Sequence, residues 1–331
     1  MATQQKLKNH NGFSLDKFLK GVLNLDEIGV IAALLAMGIF LTITTENFSS
    51  MKNLLEISRQ ASYVGIMAIG MVFVISTGNI DLSVGAIYML SPIVAALALE
   101  AGINEYLAIL IGLLTGITCG FINGGLSVLL GIPMIVITLG TTSIFRGLGL
   151  VVSNARPIFD FVKDTPLFKI GGEFIGPFPT SAVILFFLVI LFTIVYTRTP
   201  WGNRVRAVGA NLEAAKFSGV LVNLINISVM VLQGFLCAVA GILAMLFLRV
   251  AEPTQGGGYE MYTISSAIIG GTSLTGGAGS VVGALIGSVI ISVIRNGLVL
   301  LGVHYYWTGT ATGIVIIAAV FLDYLVRSKR E

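Results

Sequence analysis

The residues able to do chemistry in this sequence are few, and most of them sit inside or beside apolar runs. Asp81 lies in Thr77-Gly78-Asn79-Ile80-Asp81-Leu82-Ser83-Val84-Gly85, a polar, glycine-flanked turn between two apolar segments. A carboxylate in such a place is costly unless it is capped, paired or wet. One reading has Asp81 capping the helix that follows by accepting hydrogen bonds from its first N–H groups. The other has Asn79, Asp81 and Ser83 breaking the helices beside a polar path, and lining or gating it. Arg146 stands near Thr138, Thr141, Thr142 and Ser143. Its guanidinium either binds backbone carbonyls or a carboxylate such as Asp81, or hydrogen-bonds a polar solute in transit. Arg295-Asn296 poses the same question in a later apolar run.

These residues do not make a catalytic set. No Gly-x-x-x-x-Gly-Lys-Ser/Thr segment is present, so the chain carries no phosphate-cradling P-loop. No His-Glu-x-x-His or paired His/Cys spacing points to a metal, and the two histidines, His10 and His304, are far apart. Nothing pairs a nucleophile with a base. The apolar runs also lack the several acids of a proton relay. Cys119 and Cys237 read as small apolar residues in helix packing. The expectation is a transport subunit rather than an enzyme, with no catalytic residue, metal or cofactor of its own.

The elements that position these residues follow from composition. Of 331 residues, 56% are hydrophobic and 11% are charged, with a mean hydropathy of +0.96. A soluble domain has about 25% charged residues, and one this apolar would aggregate in water. Long runs carry no Asp, Glu, Lys or Arg: residues 106–145, 217–248, 261–294 and 296–322. A spanning helix needs roughly 20 apolar residues, so the first of these reads as two passes with a turn at Gly131-Ile132-Pro133.

The expected fold is all-α, a polytopic membrane bundle of about ten spans near 28–46, 60–77, 84–99, 106–129, 133–153, 180–197, 223–248, 262–276, 281–301 and 308–326. An even count puts both termini on one side. Lys6, Lys8, Lys17 and Lys20 in the first tail share a face with Arg198, Arg204, Arg206 and Lys216, and with Arg327, Lys329 and Arg330. The positive-inside rule makes that face cytoplasmic. Residues 1–27 and 327–331 are then cytoplasmic tails, and 28–326 form one membrane domain. The first tail is too polar for a cleavable signal. A loop over 154–179 lies outside. No basic arm interleaved with aromatics is present, so nucleic acid is not an expected partner.

Forty glycines carry a second pattern. Gly112, Gly116, Gly120 and Gly124 recur every four residues, as do Gly279, Gly283 and Gly287. Small-xxx-small ridges let helix backbones approach closely, so these glycines argue for a tight bundle rather than a ligand site.

Three loops are candidates for docking, and the outer 154–179 loop is either one of them or a passive connector. In the cytoplasmic loop 198–222, Asn211 is a reasonable N-cap for a short helix over Leu212–Phe217, ending at Ser218-Gly219. On the outer side, Arg249 to Glu260 is rich in glycine and leads to Gly270-Gly271-Thr272-Ser273-Leu274-Thr275-Gly276-Gly277. Irregular backbone of this kind at membrane depth lines a cavity or is buried in protein.

The sequence resembles the permease subunits of ribose/galactose/arabinose-class sugar ABC importers. Gly78 to Gly85 is similar to that family's G-G-I-D-L-S-V-G segment. Thr138-Leu139-Gly140 with Phe145-Arg146-Gly147 is similar to its fifth span. Ala207-Val208-Gly209-Ala210-Asn211 with Ala214-Ala215 and Ser218-Gly219 is similar to its cytoplasmic loop. Glu252-Pro253, Gly258-Tyr259-Glu260, Gly270 to Leu274, Gly276-Gly277 and Asn296-Gly297-Leu298 follow in the family's order. Asn79 stands where the family has Gly, and Arg295 where it more often has a neutral polar residue. The resemblance implies a type II-importer-like permease bundle in the bacterial inner membrane. It also implies a second permease subunit forming a homodimer in the lipid, a separate cytoplasmic ATPase and a periplasmic sugar-binding protein. Glu213, Ala214, Ala215 and Gly219 would then couple to the ATPase. Asn79, Asp81, Ser83, Arg146, Arg295 and Asn296 would line or gate the path, and Glu252 and Tyr259 would face the binding protein. The solute implied is a monosaccharide, ribose- or allose-like. The alternatives are a branched-chain amino acid permease and an ion-coupled secondary transporter.

Overall fold

The structure is a computed structural model, and it describes residues 25–159, 161, 167–168, 171, 174–304, 307, 309–310, 313–314 and 317. The tails and most of the expected span over 308–326 lie outside the described residues, as does part of the 154–179 loop. Among the described residues the chain is helical apart from one short hairpin. The elements are α1 (Leu25–Thr44), α2 (Met51–Ser76), α3 (Val84–Glu100), α4 (Glu105–Leu130), α5 (Met134–Val152), β1 (Phe174–Ile175), β2 (Phe178–Pro179), α6 (Thr180–Arg198), α7 (Pro200–Ala210), α8 (Leu212–Phe217), α9 (Val222–Leu248), α10 (Tyr259–Ile269) and α11 (Val281–Leu300). Six of these helices, α2, α4, α5, α6, α9 and α11, are long and apolar enough to cross a membrane.

Local chemistry sets the helix ends. Ser50 caps α2 by accepting from the Asn53 N–H, Asn104 caps α4, and Ser280 caps α11. Each side-chain oxygen satisfies a backbone donor that the first helical turn leaves open. Two boundaries differ from the hydropathy reading. The second helix begins at Met51 rather than near residue 60. Its first turns carry Lys52, Glu56 and Arg59, and Arg59 pairs with Glu56 at 2.6 Å. Hydropathy ends a span where charge begins, whereas the helix continues until its cap. The span expected over 262–276 is the 11-residue α10, which stops at Ile269. At 1.5 Å per residue it is about 16 Å long, roughly half a bilayer core. Gly271, Gly276 and Gly277, all at positive φ, carry the chain onward as irregular backbone.

Helix α2 forms the hub. Its residues from Ala61 to Ser76 are all buried, the signature of a helix enclosed on every side. It packs against α6, α9, α10 and α11. Phe73 near its end stacks on Trp201 with ring centroids 5.1 Å apart, and meets Tyr196 edge-on at 5.2 Å.

The most extensive helix pair is α4 with α9. Helix α4 is inverted relative to a soluble helix. Gly112, Gly116, Cys119, Gly120, Asn123 and Gly124 face inward, and Leu107, Leu110, Leu114 and Phe121 face outward. Lipid is as apolar as leucine, so helices associate by close packing rather than by hiding apolar area. A Cβ at Gly120 would collide with the Met230 carbonyl, and one at Gly116 with that of Gly234. Both obstacles are backbone atoms that cannot turn aside. The second ridge behaves alike, with Gly283 and Gly287 against the backbone of Gly270 and Ser266. A Cβ at Gly125, one position off the α4 ridge, meets nothing within 4 Å.

Replacing Gly120 with leucine is therefore expected to destabilise the bundle by about 1–3 kcal/mol or more, through overpacking against backbone. Gly125→Leu should be neutral. Thermal unfolding of the purified protein in detergent checks this, and equal melting temperatures for the two variants would refute the packing argument.

Candidate functional site

Three polar constellations emerge, each at a place where helical structure is interrupted. The first is the 77–83 turn. Asp81, Ser83, Asn123 and Thr138 are all fully buried. One Asp81 carboxylate oxygen, Oδ1, accepts from the Ser83 N–H at 2.7 Å and from the Ser83 hydroxyl at 2.6 Å. Asn123 on α4 donates to the same hydroxyl at 2.8 Å. The Leu82 N–H donates to the Thr138 hydroxyl at 3.1 Å, and the Thr142 hydroxyl donates to the Leu82 carbonyl at 3.0 Å. Asp81 thus shapes the turn that starts α3, bonding the cap residue Ser83 rather than the first helical N–H groups. The charged turn is wired to α4 and α5 by neighbours that the sequence pattern does not tie to it. Asn79 sits beside it, half-buried, donating to Thr77 at 3.0 Å and to Asn226 at 3.4 Å.

The second constellation surrounds Arg146. Its guanidinium donates to the Gly256 carbonyl at 3.0 Å and to the Gln255 carbonyl at 3.5 Å, and lies 4.0 Å from Glu260. Its partners within the protein are thus backbone carbonyls, with Glu260 rather than Asp81 as the nearby carboxylate. Arg146 ties α5 to the irregular segment between α9 and α10. That segment begins at a bridge between Ile158 and Ala251 and crosses the start of α3, where Gly85 and Gly256 touch backbone to backbone. Glu252 stays local, accepting from the Thr254 N–H and hydroxyl at 3.2 and 2.8 Å.

Close by is a group of tyrosines. Tyr259 meets Tyr88 edge-on at 4.8 Å and Tyr262 at 5.9 Å. Arg295 on α11 lies 4.6 Å from the Tyr262 ring centre and 5.8 Å from that of Tyr259, a cation–π arrangement. Tyr259 is thus packed within the bundle against α3. Asn296, next to Arg295, is engaged elsewhere. It exchanges two amide hydrogen bonds with Asn53 on α2, at 2.8 and 3.0 Å. Glu260, Tyr88 and Tyr262 are the residues that sequence reasoning did not single out. Tyr259-Glu260 beside a glycine run was a local signal, whereas Tyr88 reads as one more apolar position in a span.

The third constellation is α7 and α8 on the face read as cytoplasmic. Asn211 caps α8 by accepting from the Ala214 N–H at 3.0 Å, and α8 covers Leu212–Phe217 as its spacing indicates. Glu213, Ala214 and Gly219 are exposed while Ala215 is buried. Phe217 is 90% exposed, an apolar ring held out on a short rigid helix. Gly219 follows at φ +79, with nothing within 4 Å of where its Cβ would be. The base of this module is fixed. Trp201 donates to Ser228 on α9 at 2.9 Å. Gly209 touches the Ser76 carbonyl at the end of α2 and the backbone of Gly277. The α7–α8 unit therefore rests directly on α2, on α9 and on the turn after α10.

Removing the Asp81 carboxylate should loosen the first constellation. Asp81→Ala is expected to cost about 1–3 kcal/mol, the loss of a buried, hydrogen-bonded acceptor. Ser83→Ala and Asn123→Ala should be non-additive by at least about 0.5 kcal/mol, because they share one hydroxyl. Thermal unfolding of the single and double variants checks this, and strict additivity would contradict the network.

A family model described as "Branched-chain amino acid transport system / permease component" matches residues 53–320. The chain is 39% identical to the ribose import permease protein RbsC of Bacillus subtilis (strain 168), over 90% of this chain and 93% of that protein. It is 38% identical to the D-allose transport system permease protein AlsC of Escherichia coli (strain K12), over 88% and 89%. It is 32% identical to the autoinducer 2 import system permease protein LsrC of Photorhabdus luminescens, over 95% and 94%. No solved structure matches the chain.

Proposed function

This chain belongs to the branched-chain amino acid transport system / permease component family, and from that membership we propose that it is the transmembrane subunit of an ATP-driven, binding-protein-dependent importer of a monosaccharide. The family and the six apolar helices make it a multi-pass protein of the bacterial inner membrane. The observation that carries the sugar reading is the near full-length similarity to ribose and allose permeases. The family description favours a second reading, import of branched-chain amino acids, and the uptake test below separates the two.

In the proposed mechanism two copies of the chain enclose the path, each crossing ten times with all termini cytoplasmic, and the half-length α10 makes one of these passes together with the irregular backbone that follows it. A separate ATPase binds on the cytoplasmic side and a sugar-loaded periplasmic protein docks outside, near Glu252. ATP binding and hydrolysis bias the pair between inward- and outward-facing states. Asn79, Asp81, Ser83, Arg146, Arg295 and Asn296 are proposed to line or gate the path, and Tyr259, expected from the sequence to face the binding protein, is proposed to join them because it packs against Tyr88 on α3. The coupling surface is Glu213, Ala214, Ala215 and Gly219, to which the geometry adds Phe217. A 90%-exposed phenylalanine on a short capped helix suits insertion into an apolar groove of a partner. Motion imposed on α8 would pass through α7 to the end of α2 and to the turn after α10, which it touches.

Reconstitution with the cognate ATPase and binding protein tests this. Uptake of labelled D-ribose or D-allose that requires ATP supports the reading. ATP-dependent uptake of leucine with no sugar transport would replace it with the amino-acid reading. Uptake that persists without the ATPase and collapses with an uncoupler would replace it with an ion-coupled one.

Within that assay, Phe217→Ala is expected to reduce uptake by roughly tenfold or more, as for loss of an interface anchor, while leaving the melting temperature unchanged. Gly219→Val should abolish uptake without preventing membrane insertion, since a β-branched residue is strained at this φ. Gly219→Asn, which tolerates that conformation, should retain part of the activity. Wild-type uptake by Phe217→Ala and Gly219→Val would remove α8 from the coupling role.

A further inference from the structure

We propose that Glu260 and Arg146 together hold one hydroxyl group of the transported solute, with the hydroxyl accepting from the guanidinium and donating to the carboxylate. The assignment rests on the importer reading above and specifies its solute contact.

Geometry carries it. The Arg146 Nη2 and Glu260 Oε2 atoms are 4.0 Å apart. That is within ion-pair range but beyond hydrogen-bond length. Glu260 Oε2 is enclosed and has no hydrogen-bond partner. An enclosed carboxylate oxygen without a donor is disfavoured, more so than a neutral group would be. A donor is therefore needed at that point. An oxygen about 2.7–2.8 Å from both atoms would subtend an angle near 90°, close to what a hydroxyl offers between its lone pair and its proton. In this structure the α3 backbone at Gly85 closes over the pair, with the Gly256 carbonyl directly against it, so the hydroxyl enters in a state where α3 stands farther off. A Cβ at Gly85 would lie 2.8 Å from Glu260 Oε2 and 3.2 Å from Arg146 Nη2.

The surroundings select the class of ligand. Arg146 already faces the carbonyls of Gly256 and Gln255. Together with the Glu260 carboxylate they make the place acceptor-rich, which repels a carboxylate or phosphate and suits a neutral hydroxyl. Tyr259, next to Glu260 in the chain, packs with Tyr88 and Tyr262, and Arg295 lies over Tyr262. Flat aromatic surface beside a paired donor and acceptor is what a neutral polyhydroxylated ring requires, with C–H faces against the aromatics and hydroxyls to the polar pair. The two residues come from two separate elements, α5 and the start of the half-length α10. A hydroxyl bridging them would sense their separation.

The test uses the complete reconstituted importer, with binding protein saturated by the sugar so that its own affinity does not enter. Uptake of D-ribose, D-allose and their monodeoxy analogues is compared in wild type, Glu260→Gln and Glu260→Ala. Glu260→Ala is expected to slow uptake of the parent sugar by about tenfold or more, the loss of one charge-assisted hydrogen bond. Glu260→Gln, which keeps an acceptor oxygen, should fall between. The discriminating result is that one monodeoxy analogue is carried at nearly the same rate by wild type and Glu260→Gln, because the hydroxyl that reads residue 260 is missing. If both variants slow the parent sugar and every analogue by one common factor, Glu260 is a packing residue and the assignment is overturned. Unchanged uptake of the parent sugar in both variants overturns it as well, and leaves the importer reading standing. A wild-type complex that carries leucine and no sugar overturns the sugar reading first, and this assignment with it.

Discussion

Direct contact between the backbones of α4 and α9 is the constraint on which the rest of the bundle is built. Lipid offers helices no hydrophobic reason to associate, so their cohesion comes from close approach. Gly116, Gly120 and Gly124 on α4 and Gly234 on α9 let main chain meet main chain where any side chain would intervene. Helix α9 is 27 residues long, about 40 Å at 1.5 Å per residue. It is held along this length, with Gly241 doing for α3 what Gly234 does for α4. One end of this clamped rod continues from the α8 module, and the other leads into the segment that Arg146 grips. The two surfaces proposed to meet the ATPase and the solute are thereby joined by one rigid element.

Around that rod, helical structure is interrupted at residues 77–83, 249–258 and 270–280. Irregular backbone inside a membrane bundle is tolerated only where its polar groups find partners. Each interruption finds them on neighbouring helices. Thr138, Thr142 and Asn123 serve the first. Arg146 serves the second. Ser76 and Gly209 meet the third, where the Gly277 N–H donates to the Ser76 carbonyl at 3.0 Å. The interruptions also touch one another through α2, α3 and α7, so none can move alone. This continuity gives the proposed importer a physical route from cytoplasmic surface to solute contact.

Much of this was legible from residue order. Charge-free runs mark the spans, because a bilayer excludes charge over a fixed thickness. The four-residue glycine ridges announce close packing, because their period matches a helix face. Asn211 and Ser218-Gly219 bracket α8, because caps act over three or four residues. Arg146 and Asp81 are conspicuous as charges among apolar neighbours. Each signal is local or periodic, and each is read without knowing what lies opposite.

What lies opposite was decided by the tertiary structure. Arg146 had two candidate kinds of partner in sequence, and packing of α5 against the α9–α10 connection gave it Gly256 and Glu260 rather than Asp81. Tyr259 reads as an outer-loop residue until α10 proves too short to cross, which brings its start inside the bundle against Tyr88. The Arg59–Glu56 pair let α2 begin at Met51, ahead of where hydropathy stops. Asn123 and Tyr88 carry no warning of their roles, because an isolated polar or aromatic residue in a span has no period to betray it. Charge exclusion and helical periodicity act along the chain and are therefore written in it. The meeting of Arg146 with Glu260 depends on how separate helices pack in three dimensions, and no local pattern encodes that.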